Sequence, residues 1–104
     1  MEKRLLGRTG LEVSILGMGG LFVSKFGERD REHSCRAVQR ALELGVNYVD
    51  TAPSYADSEE VLGFALEGIT QPYYLSTKIG GRPQPFDPKD NDLLRKSVEE
   101  SLRL

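Results

Sequence analysis

Short apolar runs that alternate with helical patterns constrain the fold of this chain more than any other feature. The runs are rich in aromatic or β-branched residues and are bounded by Gly, Pro or Asp, which predicts strands at 14–16, 46–49 and 73–76. A helical pattern follows each of them. Strands that alternate with helices predict an α/β fold, with a parallel sheet covered by helices.

The first two predicted helices show a buried stripe and end signals. Asp30 is placed to cap the first helix and Gly45 to end it. Its apolar stripe contains Cys35, Val38 and Leu42, with Ala37, Ala41 and Leu44 alongside. The second helix starts at Asp57, with Glu60 completing a capping box, and ends at Gly68. It is expected to bury Val61, Leu62, Ala65 and Leu66.

The third helix and two irregular segments complete the pattern. The helix is predicted to begin near Asp90 or Asn91 and to align Leu94, Val98 and Leu102 on one face. Ahead of the first strand, 4–6 and 11–13 predict a hairpin with Gly10 at a positive φ. An extended loop is predicted over 79–89, which contains Gly80, Gly81, Pro83, Pro85 and Pro88. This loop either only connects its neighbours or carries part of a binding site.

Composition limits the class of protein. The 104 residues are 38% hydrophobic with a formal net charge of −2, and no basic surface for nucleic acid is indicated. No apolar run approaches the roughly 18 residues of a membrane span, and the N-terminus leads into no signal core, so a cytoplasmic location is expected. No internal boundary divides 1–104. Because three parallel strands leave two open edges, the chain is expected to be an incomplete domain.

Three polar residues near the ends of predicted strands are the candidate catalytic site. Asp50 and Tyr55 follow the second strand and Lys78 follows the third. Singly, such residues usually cap a turn, pack in a loop and point to solvent, respectively. Their joint order and spacing favour a site instead.

Four other features suggest function less strongly. The carboxylates of Asp57, Glu59 and Glu60 fall in a first helical turn, where they complement the helix dipole, and no metal site is predicted. Gly17-x-Gly19-Gly20 follows a strand, but Phe22 breaks the dinucleotide-binding G-x-G-x-x-G pattern. Cys35 is interpreted as a small core residue, and His33 as a solvent-facing residue of the first helix.

Several segments in order resemble the aldo-keto reductases: residues 6–20, Gly45 to Ala52, Tyr55, Ser58-Glu59, Leu62-Gly63 and Ser76-Thr77-Lys78. The resemblance covers essentially the whole chain, including the ending 97–104. It implies a (β/α)₈ TIM barrel, a fold of about 250 residues. This chain is expected to supply the N-terminal hairpin and about three βα units.

The resemblance also implies roles. Tyr55 is expected to be the general acid or base, Lys78 the cation that stabilises its phenolate, and Asp50 the partner of Lys78. The implied cofactor is NADP, with NAD as an alternative, bound near Gly20, Leu21 and Asp50. A tight turn without a cofactor is the alternative interpretation of Gly20. The implied substrate is a small carbonyl compound or sugar, whose carbonyl group is reduced. In the opposite direction the corresponding alcohol is oxidised.

Two departures from the family pattern bear on these roles. Ala56 stands where the family has Gly after the tyrosine, which affects how Tyr55 is presented. The family's catalytic His, which follows strand four, has no counterpart here, and His33 does not replace it because it precedes Asp50.

Three hypotheses follow, in this order. The chain is the N-terminal part of an aldo-keto reductase and is inactive alone; it is a non-catalytic short chain that associates with a partner through its open sheet edge; or it is a complete small nucleotide-binding module. The oligomeric state and the identity of the substrate within its class are not predicted.

Overall fold

The computed structural model describes residues 1–28, 30–82 and 84–104. A parallel sheet has the strand order β3-β4-β5, and β1 and β2 form a separate antiparallel hairpin. The α/β prediction is therefore confirmed. The elements in chain order are β1 (Lys3–Leu5), β2 (Glu12–Ser14), β3 (Met18–Gly19), α1 (Arg31–Glu43), β4 (Tyr48–Asp50), α2 (Ser58–Leu66), β5 (Tyr74–Ser76) and α3 (Asn91–Arg103), with a short 3₁₀ helix at Lys25–Gly27.

The hairpin is where predicted, but the first parallel strand is not. Gly10 has φ +77° in the hairpin loop, as expected. The strand predicted at 14–16 is wrong, because Ser14 ends β2 and the parallel strand is Met18–Gly19. The Ser14 hydroxyl donates to the Leu16 carbonyl at 2.7 Å, and this contact turns the chain before Met18 pairs with Val49. Apolar residues in the turn, such as Leu16, remain exposed.

Helix α1 begins as predicted. The Asp30 carboxylate accepts a hydrogen bond from the His33 amide at 2.7 Å. Val38 and Leu42 are buried and Cys35 packs against the same core, which confirms the predicted stripe. Of the flanking residues, Ala37 and Leu44 are exposed, so that part of the prediction is wrong. Ala37 lies roughly 100° around the helix from its neighbour Val38, and Leu44 lies beyond the last helical residue.

Helix α2 buries the four apolar residues predicted for it. The predicted capping box is wrong, because Asp57 makes no side-chain cap hydrogen bond. Its Oδ1 instead accepts a hydrogen bond from the Lys25 amide at 2.9 Å, which ties the loop after β3 to the start of α2. Gly68 follows the helix with φ +74°.

Helix α3 forms as predicted, and most of its apolar stripe is exposed. Asp90 caps it by accepting hydrogen bonds from the amides of Asp92 and Leu93. Ser97 is its buried residue, whereas Val98 and Leu102 are exposed. Within the described residues, no element covers the face on which Val98 and Leu102 lie.

The core lies between α1, α2 and one face of β4, and its buried members are Val23, Val38, Leu42, Val49, Val61, Leu62, Ala65 and Leu66. Alternation along a strand places neighbouring residues on opposite faces. Val49 and Thr51 are buried toward the helices, and Asp50 therefore lies on the other face. Because Asp50 pairs with Ser76, Lys78 also belongs to that open face.

The stretch after β5 contains no helix or strand over 79–82 and 84–89, in agreement with the predicted loop. Pro83, which also contributed to that prediction, lies outside the described residues. None of the helices in the described ranges has the length and apolar character needed to cross a membrane.

Candidate active site

The structure brings Asp50 and Lys78 into direct contact. Asp50 is the last residue of β4, and Lys78 follows β5 by two residues. The Lys78 ammonium donates hydrogen bonds to Asp50 Oδ2 at 2.8 Å and to the Thr51 carbonyl at 2.9 Å. Two adjacent parallel strands thus fix one cation at their C-terminal ends, where active sites of parallel βα folds gather.

Tyr55 joins this pair from the loop between β4 and α2. Its ring centroid lies 5.0 Å from Lys78 Nζ, a distance at which a cation and an aromatic face attract each other. The Tyr55 amide donates to the Ala52 carbonyl at 3.1 Å, and the Tyr55 carbonyl accepts from the Ser58 amide at 2.9 Å. These backbone bonds connect the tyrosine to the start of α2.

Ala56 adopts the left-handed conformation, with φ +49°. Glycine reaches this region without steric cost, whereas an L-residue is strained by contact between its Cβ and the backbone. The chain therefore keeps a backbone suited to Gly at the position after Tyr55 while carrying Ala there.

The electrostatics of the site favour a charged lysine. The hydrogen bond to Asp50 raises the pKa of Lys78 above its ordinary value, with smaller contributions from Tyr55 and from the Asp50 charge. The side chains of Lys78 and Asp50 are 51% and 38% exposed. The cation is thus held firmly but remains accessible to a molecule that approaches the open face.

Gly20 packs directly against the strand that carries Asp50. Its amide donates to the Asp50 carbonyl at 2.6 Å. A Cβ at this position would lie 2.7 Å from the Asp50 carbonyl oxygen and 2.9 Å from Ser58 Oγ, so the close approach itself requires glycine. Leu21, the next residue, is exposed beside it.

Ser58 holds Gly20 from the other side. Its hydroxyl donates to the Gly20 carbonyl at 2.7 Å and lies 2.7 Å from Thr51 Oγ1. Because Ser58 has one hydroxyl proton, Thr51 is the donor in the second contact. Both hydroxyl side chains are almost fully buried, so this pair fixes the loop after β3 against β4.

Glu59 makes contacts on the far side of the same helical turn. Its Oε2 accepts a hydrogen bond from Thr77 Oγ1 at 2.8 Å, and its Oε1 forms an ion pair with Arg82. The sequence motifs include Ser58 and Glu59, but they predict no side-chain contact for either residue, and the role predicted for Glu59 was only to complement the helix dipole. Their position in a motif spanning the strand ends was the one available signal.

The neighbouring carboxylates have partners of their own. Asp57 accepts from the Lys25 amide, and Glu60 pairs with Arg31 at 3.5 Å. Across 1–28, 30–82 and 84–104, no three His, Cys, Asp or Glu side chains are grouped to hold a metal ion. His33 is exposed on α1, as predicted.

Comparison with known proteins identifies the family. The sequence model of the Aldo/keto reductase family matches residues 15–104. The chain therefore belongs to the aldo/keto reductases, a family of oxidoreductases whose members generally use NAD(P)H. This confirms the resemblance inferred from the sequence motifs.

Individual relatives agree with this assignment. L-galactose dehydrogenase from Arabidopsis thaliana is 38% identical over 108 residues, which cover 98% of this chain and 34% of that protein. 6-dehydroglucose reductase from Novosphingobium aromaticivorans is 32% identical over 111 residues, which cover 95% of this chain and 36% of that protein. The chain thus spans about a third of the length of these curated relatives.

A solved structure shows the same arrangement. An aldo-keto reductase from Bacillus halodurans, in its holo form, matches with a TM-score of 0.83 and 36% identity. The match covers 99% of this chain and 36% of that one. The hairpin and three βα units described here therefore have the fold of the N-terminal part of a (β/α)₈ barrel, as predicted.

Proposed function

We propose that this chain is part of an NAD(P)H-dependent oxidoreductase that reduces the carbonyl group of an aldehyde, ketone or sugar, or oxidises the corresponding alcohol. The contact that carries the proposal is the Lys78 ammonium, 2.8 Å from Asp50 Oδ2 and 5.0 Å from the Tyr55 ring. It lies on the open face at the strand ends. Family membership supports the reaction class.

In this proposal Tyr55 transfers the proton. A phenol with a pKa of about 10 is a weak acid at neutral pH, so donation to a carbonyl oxygen needs a cation that stabilises the phenolate left behind. Lys78 supplies that cation, and Asp50 holds it in place. In alcohol oxidation the same groups take the proton up. The nicotinamide cofactor, when bound, supplies or accepts the hydride.

Gly20, Leu21 and Asp50 are the residues that we assign to the cofactor, which we propose to be NADP, with NAD as the alternative. Asp50 uses Oδ2 for Lys78, and a carboxylate has further acceptor capacity for a hydroxyl group. Leu21 is exposed and accessible to a ligand, whereas Gly20 is buried against β4 and Ser58, so the assignment of Gly20 rests on the resemblance to the family. These features fit a nicotinamide nucleotide.

Sugar carbonyls are the substrate class that we favour, because two relatives are named L-galactose dehydrogenase and 6-dehydroglucose reductase. The chain alone is proposed to be inactive, since the family's catalytic histidine has no counterpart in it and it spans about a third of these relatives. A cytoplasmic location belongs to the same proposal.

Replacement of Tyr55 by Phe tests the role of the phenol in the complete protein that carries this chain. We expect kcat/KM for carbonyl reduction to fall by about 10²- to 10⁴-fold, because the proton donor is removed. Cofactor affinity, measured by quenching of nicotinamide fluorescence, should stay close to that of the unaltered protein. Steady-state kinetics with several aldehydes and sugars supply the rates.

Tyr74→Phe is the matched control. It removes the same hydroxyl from a partly exposed tyrosine at the start of β5, at the opposite end of the strand from Lys78. The control should keep full activity. Undiminished turnover by the Tyr55 variant would refute the assignment of Tyr55 as proton donor.

A second candidate function is that of a non-catalytic short chain that binds a partner through its sheet edge. The observation that favours it is the exposure of Leu75 on β5, an edge strand of the described sheet. The intact mass of the native product separates the two candidates. A mass near 11.6 kDa would support the short chain, whereas a mass several-fold larger would support the enzyme.

A further inference from the structure

Glu59 contacts the segment that carries Lys78 at two points. Its Oε2 accepts from Thr77 Oγ1 at 2.8 Å, and its Oε1 lies 2.5 Å from Arg82 Nη2. Thr77 immediately precedes Lys78, and Arg82 follows it by four residues. The two contacts therefore enclose Lys78 in the sequence and attach its backbone to α2.

The environment of Glu59 makes this attachment unusual for a surface helix. Its side chain is 7% exposed and that of Arg82 is 22% exposed. Arg82 Nη2 also donates to Ser101 Oγ at 2.9 Å, which brings α3 into the same network. Burying a carboxylate is unfavourable unless a cation and hydrogen bonds compensate it, so this pair commits α2 to one position of the 77–82 segment.

Strand alternation separates the two sides of this segment. Thr77 faces α2, and Lys78 faces the open side with Asp50. A contact that fixes Thr77 on one side therefore fixes where the Lys78 side chain starts on the other. Glu59 does not contact the ammonium, and the groups that shift the Lys78 pKa directly are Asp50 and Tyr55, so we expect an effect of Glu59 to pass through the backbone.

We propose that Glu59 is a positioning residue for Lys78: its carboxylate holds Thr77 and Arg82 so that the Lys78 ammonium stays against Asp50 and the Thr51 carbonyl. The proposal rests on the proposed function only for the catalytic meaning of Lys78. The effect of Glu59 on the position of Lys78 does not depend on the reaction, and the experiment measures it through the pKa of Lys78.

The experiment follows the pKa of Lys78 by NMR of ¹³C-labelled lysine side chains against pH, in the full chain. The titratable groups that face Lys78 are Asp50 and Tyr55, and the Asp50 hydrogen bond is the main cause of the raised pKa. Glu59→Gln should lower the Lys78 pKa toward the ordinary 10.5. The fall should be in the same direction as that in Asp50→Asn, and smaller.

Glu60→Gln is the matched control, because it makes the same change of charge at the next residue of α2. Glu60 pairs with Arg31 and does not contact the 77–82 segment. It should leave the Lys78 pKa unchanged. A role of Glu59 that only stabilises the fold would lower the unfolding midpoint without changing this pKa.

Thr77→Val and Arg82→Gln keep the proposal testable if Glu59→Gln does not fold. Each removes one of the two contacts, and each should lower the Lys78 pKa in part. An unchanged Lys78 pKa in folded Glu59→Gln, or in both of the other variants, would overturn the proposal. If instead these pKa values fall while Tyr55→Phe remains fully active, the positioning is supported and the proposed function is what fails.

Discussion

The half of the molecule around α1 and α2 differs sharply from the half around β5 and α3. In the first half, the apolar stripes of both helices close on β4, and Leu62 is 1% exposed. In the second, α3 has the same kind of apolar stripe, yet Leu102 is 81% exposed. The apolar stripe of α3 is similar in sequence pattern to those of α1 and α2. The difference is whether a neighbouring element covers it.

This comparison shows what helical periodicity can predict. A period of three to four residues indicates which face of a helix is apolar, but not which element packs against that face. The curated relatives of this chain are about three times longer. The periodicity of α3 thus identifies an apolar face that no element of the described residues covers.

The largest difference in the free energy of unfolding is expected between a buried leucine of the first half and an exposed leucine of the second. Leu62→Ala should lower the free energy of unfolding by about 2–5 kcal/mol, because it removes a large side chain from the core. Leu102→Ala should change it by no more than about 0.5 kcal/mol in the 104-residue chain. Urea denaturation followed by circular dichroism measures both values. Equal losses would show that α3 is packed as tightly as α2.

A smaller effect is expected at Ala56, where the well-packed half presents Tyr55. Ala56→Gly should raise the free energy of unfolding by up to about 1 kcal/mol, because glycine adopts the left-handed conformation without Cβ strain. Ala37→Gly, on the exposed surface of α1, is the control and should be destabilising by about 1 kcal/mol. Thermal unfolding of the two variants decides the sign. Destabilisation by Ala56→Gly would contradict strain at this turn.

The smallest effect concerns pH and the pair that joins the two halves. The pKa of Lys78 is raised on folding, so the Asp50–Lys78 contact contributes stability fully below pH 10.5 and loses it as the pH rises through the raised value. Because both side chains are exposed, the contribution is small. The difference in unfolding midpoint between the unaltered chain and Asp50→Asn should be constant near neutral pH and shrink above pH 10.5. A difference in unfolding midpoint that grows above pH 10.5 would contradict a pKa of Lys78 that is raised on folding.

Much of the fold followed from the sequence because its signals are local. Helix ends at Asp30 and Asp90 and the turn at Gly10 depend on hydrogen bonds or φ values within a few residues. The first parallel strand was misplaced because Ser14 has a hydroxyl contact that turns the chain early. Asp57 failed as a cap because its carboxylate bonds to the Lys25 amide, 32 residues away.

The contacts of the candidate site also differ in whether the sequence predicts them. The proximity of Asp50 and Lys78 could be predicted, because the ends of neighbouring parallel strands meet at one edge of the sheet. The contacts of Ser58 and Glu59 could not, because they join side chains brought together by the docking of α2. Ser58 reaches Gly20 and Glu59 reaches Arg82, and no spacing rule relates these positions.

Asn47, a buried residue just before β4, holds the N-terminal hairpin although it is synthesised well after it. Its side-chain oxygen accepts from the Ser14 amide at 2.7 Å, and its side-chain nitrogen donates to the Glu12 carbonyl at 2.9 Å. An isolated two-stranded hairpin is marginal in water, and Asn47 lies 33 residues after Ser14. At roughly 5–20 residues per second, a ribosome needs on the order of seconds to reach it. During synthesis the hairpin is therefore complete before Asn47 is available, and it is stabilised by these two hydrogen bonds only afterwards.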